Sequence, residues 1–110
     1  MATTYKVLGQ LAPSATTNTT LYTVPASTSA VISTIVVANR VATAANYRIA
    51  IRPSGATLAN QHYIAYDVAV AAADSTTLTL GITLAATDVI TVYASTANLS
   101  FSVFGSEITV

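Results

Sequence analysis

Tyr47-Arg48-Ile49-Ala50-Ile51-Arg52 runs directly into Pro53-Ser54-Gly55. Side chains of an extended chain alternate between two faces, so Tyr47, Ile49 and Ile51 share one face while Arg48, Ala50 and Arg52 share the other. Proline lacks the ladder donor and glycine permits the turn, so the strand ends there. The residues that carry this period of two, Val, Ile, Thr and Tyr, fit a pleated, half-buried surface.

The same pattern recurs on both sides of this segment. Thr4–Gln10 and Thr20–Val24 read as strands, the second stopped by Pro25. Ala30–Asn39, with Val31, Ile32, Ile35, Val36 and Val37, is apolar on both sides and is expected to be a central strand covered on two faces. His62–Tyr66 and Ser75–Leu80 follow. Val89–Ala94 and Leu99–Phe104 flank Ser95-Thr96-Ala97-Asn98, which reads as a hairpin. Glu107–Thr109 reads as a last edge strand. Val68–Ala73 is rich in alanine but too short for an independent helix, and a loop or outer strand fits it equally. Residues 10–19 are polar and interrupted by Pro13, which suggests a surface loop or an extended arm. No period of about 20–50 residues recurs, so a solenoid is not supported. The expectation is one all-β domain over residues 1–110, an antiparallel β-sandwich of jelly-roll type with eight to nine short strands.

Composition narrows the function. Of 110 residues, 7% are charged and 53% hydrophobic, with formal net charge zero; soluble domains ordinarily carry about 25% charged residues. Such a surface favours association. No basic field exists to displace counterions from a nucleic-acid backbone, so nucleic acid is not an expected partner. Purely apolar runs such as Ile35–Ala38 and Val68–Ala73 are much shorter than the ~20 residues of a spanning helix, and no membrane partner is expected. The chain lacks cysteine, which rules out disulfides and thiolate chemistry. Its first residues show no secretory pattern, so synthesis in a cytoplasm is expected.

Candidates for chemistry are few. His62 is the single histidine, so a metal site would need copies brought together by symmetry. The carboxylates are Asp67, Asp74, Asp88 and Glu107; Asp74 and Asp88 sit where loops meet strands and are expected to cap turns. Patterns of nucleophile elbows, phosphate loops and zinc helices are absent. No catalytic, cofactor-binding or metal residues are assigned, and an enzyme is not expected. Tyr5, Tyr22, Tyr47, Tyr63, Tyr66 and Tyr93 outnumber the two phenylalanines, and tyrosine suits interfaces as well as strand faces. Strict alternation places Tyr63 and Tyr66 on opposite faces. Arg40, Arg48 and Arg52 are available either for water or for acids of a neighbouring subunit.

Thr20-Leu21-Tyr22-Thr23-Val24-Pro25-Ala26 and Val31-Ile32-Ser33-Thr34-Ile35-Val36-Val37-Ala38-Asn39-Arg40 resemble stretches of small β-sandwich virion proteins of tailed phages, notably those of cyanobacteria. Tyr63-Ile64-Ala65-Tyr66-Asp67, Leu84 to Ser95 and Phe104-Gly105-Ser106-Glu107-Ile108 extend the resemblance over most of the chain. It implies a structural virion component without enzymatic activity or cofactor, leaving head, tail and fibre positions open. Low charge and short side chains favour a homo-oligomeric, preferably trimeric, capsid decoration (cement) protein that contacts its own copies and the major capsid protein or another virion protein. The alternative is a tail or fibre module that binds a receptor or glycan. An uncharged edge over Ser75–Leu80 would be an aggregation hazard unless paired in an assembly.

Overall fold

The computed structural model describes residues 2–109, apart from the side chain of Leu80. Eight strands follow one another: β1 (Ala2–Leu11), β2 (Thr19–Thr23), β3 (Thr28–Asn39), β4 (Ala45–Arg52), β5 (Tyr63–Val70), β6 (Ser75–Leu84), β7 (Val89–Ala94) and β8 (Leu99–Thr109). Short 3-10 turns at Pro53–Gly55 and Asn60–His62 lie between β4 and β5. The strands form two antiparallel sheets, ordered β1-β8-β3-β6 and β2-β7-β4-β5.

That order has a simple origin. β4 pairs with β5, β3 with β6, β2 with β7 and β1 with β8, as if the whole chain were one long hairpin with its tip between β4 and β5. Rolling the hairpin up adds the β3–β8 and β4–β7 ladders and splits it into two facing sheets. This is the jelly roll expected from the strand count.

The core lies between the sheets. Ile32, Ile35 and Val37 of β3, Leu99, Phe101 and Val103 of β8, Tyr47 and Ile49 of β4, and Ile90 and Val92 of β7 are fully buried. Each such side chain contributes about 1.5–3 kcal/mol. Tyr47 meets Phe101 across the sandwich edge to face, with centroids 6.3 Å apart at 77°, a favoured aromatic geometry. The alternation read in Tyr47–Arg52 holds for facing: Tyr47 and Ile49 point inward, Arg48 and Arg52 outward. Thr28, Asn39, Thr91 and Ser106 are polar residues that are also buried, and the Asn39 amide donates to the carbonyls of Thr43 (2.8 Å) and Ala71 (3.2 Å). One side chain thereby ties the β3–β4 loop to the β5–β6 turn, and the buried amide is not left unsatisfied.

Several expectations change. Val89–Ala94 and Leu99–Phe104 do not form a hairpin: β7 and β8 belong to different sheets, and Ser95–Asn98 carries the chain across the sandwich. Glu107–Thr109 is no edge strand but the end of β8, held between β1 and β3. β3 is interior to its sheet, yet only one of its faces is core; Val31 and Val36 on the other are half-buried. A bulge at Ser33 in the middle of β3 switches the inward set from even to odd numbers, which makes the sequence look apolar on both sides. His62 precedes β5 in a 3-10 turn, and β5 runs on through Val68–Val70 to a turn at Ala71–Asp74, so Val68–Ala73 is part outer strand and part turn. Of residues 10–19, Gln10, Leu11 and Thr19 lie in strands. The loop between β1 and β2 is anchored on its own sandwich by buried Pro13 and by Thr16 N–H donating to the Ala94 carbonyl (2.8 Å), not extended as an arm.

Two substitutions test this packing. The Tyr47 hydroxyl is buried without a hydrogen-bond partner, a costly state for a polar group. Tyr47→Phe is expected to raise the unfolding free energy by about 1 kcal/mol, read from denaturant melts. A Cβ on Gly105 would collide with the Val31 carbonyl beside the β3 bulge; Gly105→Ala is expected to cost about 3 kcal/mol.

Candidate interaction surface

The outer face of the β2-β7-β4-β5 sheet gathers the side chains with chemical character. Tyr93 of β7 is directly paired with Arg48 of β4, and β5 lies on the other side of β4. The register of β5 shifts twice: Ala50 pairs with Tyr63 and Ile49 with Ala65, which leaves Ile64 extra, and Tyr47 then pairs with Val68, which opens a second break around Tyr66 and Asp67. Asp67 takes a left-handed backbone at φ 51°, a conformation aspartate tolerates better than most residues.

These bulges overturn the expectation for Tyr63 and Tyr66. The residue gained at Ile64 restores Tyr66 to the face of Tyr63, and the two rings pack edge to face with centroids 4.9 Å apart. The Arg48 guanidinium carbon lies 4.2 Å from the Tyr66 ring centroid and 4.3 Å from that of Tyr93. Asp67 holds the same guanidinium through Nε–Oδ1 at 2.6 Å and Nη2–Oδ2 at 3.3 Å. The hydrogen bond that Arg48 donates to Asp67 pushes the Arg48 pKa up, with the carboxylate charge and both tyrosines adding to it against partial burial. A cation is thus stacked between two rings and fixed by a bidentate carboxylate, while Tyr66 remains 56% exposed.

All three arginines find partners within their own chain. Arg52 donates to the carbonyls of Ala56 (2.6 Å) and Gly55 (3.0 Å), and Arg40 to that of Ala97 (2.7 Å). Asp74 accepts from Ser75 N–H, and Asp88 from both Ser54 N–H and Ala85 N–H, which are the turn-capping roles expected of them. His62 Nδ1 accepts from Ala59 N–H at 3.1 Å. Among the described residues no three His, Asp or Glu side chains come together as a metal site, and no helix is long and apolar enough to cross a membrane.

No protein-family profile, curated protein or solved structure matches the chain.

A second polar constellation sits between the sheets. Glu107 of β8 accepts from the Tyr22 hydroxyl (2.6 Å) and from Lys6 Nζ (2.8 Å), which links β1, β2 and β8. Burial, and then Glu107 itself, pushes the Tyr22 pKa up and keeps the phenol neutral in alkali. Lys6 first, and Tyr22 second, hold the Glu107 carboxyl below its ordinary value. A depressed folded-state pKa means that the stabilisation is complete above the unfolded value of about 4.3 and is lost as pH falls through the folded value. Denaturant midpoints of the wild type should therefore fall as pH drops below about 4.3, and Glu107→Gln should flatten that acid limb while costing about 1 kcal/mol at neutral pH.

Proposed function

We propose that this chain is a structural subunit of a phage particle, a homo-oligomeric and preferably trimeric decoration protein that binds the shell and its own copies. The resemblance of its strand-and-turn stretches to small virion proteins of tailed phages suggests the setting. The open edge at β6 carries the argument for assembly.

Each sheet has two outer strands, and three of the four are blunted. β1 bears Lys6, and its Gly9 backbone approaches the Leu21 carbonyl of β2 so closely that no side chain fits there. β2 is only five residues long, and β5 carries Asp67 and two register breaks. β6 has none of these protections over Ser75–Thr79, where it is uncharged and pairs regularly with β3 from Ala38 to Thr34. Its Ser75, Thr77 and Thr79 are exposed. Unpaired edges of this kind invite another strand, and soluble monomers normally guard them. Jelly rolls serve in capsids and in lectins alike, so the fold by itself does not decide the role.

Two measurements test the proposal. Light scattering should give three times the 11.3 kDa chain mass, and Thr77→Lys should weaken the oligomer at least tenfold, about 1.4 kcal/mol, with little change in folding stability. Quantitative mass spectrometry of purified virions should find on the order of hundreds of copies, as a repeated shell position requires; a dozen or fewer would overturn the decoration role.

A further inference from the structure

We infer that the Tyr63, Tyr66, Arg48, Asp67 and Tyr93 cluster is a binding platform for a neutral glycan, on the sheet opposite the β6 edge and independent of it. The cluster contributes little to the core, since Tyr66 is 56% exposed and the Asp67 side chain 44% exposed. Its geometry is nevertheless fixed from several sides. Tyr63 packs against Tyr66 at 89°, Arg48 stacks between Tyr66 and Tyr93, and Asp67 clamps two of the three guanidinium nitrogens. An exposed surface held this rigidly is preorganised for a ligand, because ordering its side chains costs nothing further on binding.

The chemistry of the platform selects the ligand class. Arg48 and Asp67 cancel in charge, so neither an anion nor a cation meets a net field. Arg48 Nη1 retains its donors after the bidentate clamp, and the half-exposed Asp67 carboxylate retains acceptor capacity. Fixed donors and acceptors side by side match the adjacent hydroxyls of a sugar, each of which both donates and accepts. The tyrosine rings supply apolar area for the C–H face of a pyranose, and a tyrosine carries a hydroxyl beside that area. A peptide partner would need an open apolar groove or strand edge, and β5 beside the cluster is broken twice in register.

The test uses the intact chain labelled with 15N. Titration with neutral hexoses to high concentration, and electrophoresis through gels containing neutral glucan, mannan or galactan, should give shifts at residues 46–50, 63–68 and 91–93 and retardation by at least one matrix. Tyr66→Ala should abolish both effects, and Asp67→Asn, which keeps a residue that tolerates the left-handed backbone, should weaken them at least fivefold. Absence of shifts and retardation for the wild type would overturn the inference. So would binding confined to an anionic polysaccharide such as alginate, binding unchanged in Tyr66→Ala, or self-association that Tyr66→Ala abolishes. Copy number in the virion is unaffected by any of these results, so the two readings fail separately.

Discussion

Interleaving of the two inner faces is the constraint on which the molecule depends. The chain has no cysteine, so no covalent staple assists, and with 7% charged residues ion pairs are few. Burial of alternate residues from four interior strands, centred on the contact of Tyr47 with Phe101, has to offset the conformational entropy of the chain. The rolled-hairpin topology meets that demand by placing β8 and β3 of one sheet over β7 and β4 of the other, so that the most apolar strands are also the interior ones.

The polar side chains occupy the places that this packing leaves to them. Asn39 satisfies loop carbonyls where the β3–β4 loop meets the β5–β6 turn. Glu107 sits where three strands converge at the β1–β2 side and binds a cation and a phenol. Asp88 joins the Pro53–Gly55 turn to the β6–β7 turn through two backbone amides. Each group is matched to a partner near the margin of the core, as the cost of unpaired burial requires, and the Tyr47 hydroxyl stands out because it has none.

Strand existence and facing were legible in the sequence wherever the period of two ran unbroken. Tyr47–Ile51 is the clearest case, and Asp74 and Asp88 were legible as turn residues for the same local reasons. Pairing was not legible. Ser95–Asn98 is short enough for a hairpin, and only the demand of β8 for two neighbours in the opposite sheet turns it into a crossing. Bulges concealed the rest: Ser33 shifts parity within β3, and Ile64 brings Tyr63 and Tyr66 together. One unpaired residue reverses every facing beyond it, yet neither serine nor isoleucine signals a bulge. The join of Arg48 with Asp67 was hidden for this reason, with the left-handed backbone at Asp67 as its one local trace, whereas Tyr93 meets Arg48 through the regular β4–β7 pairing, which was itself not legible.

The nesting of β1 with β8 sets the order of events in folding. Ala2 pairs with Thr109 and Leu11 with Phe101, so the first strand made must wait for the last before its ladder exists. Loop closure over nearly the whole chain precedes that reward, and proteins dominated by such distant contacts fold slowly. During synthesis β1 to β7 would exist for a time without their final partner, with β1 and β3 each lacking the strand that lies between them. The low-charge strands are then most vulnerable to cross-pairing with other nascent copies, so a chain this poor in charge carries its greatest hazard before the fold is complete.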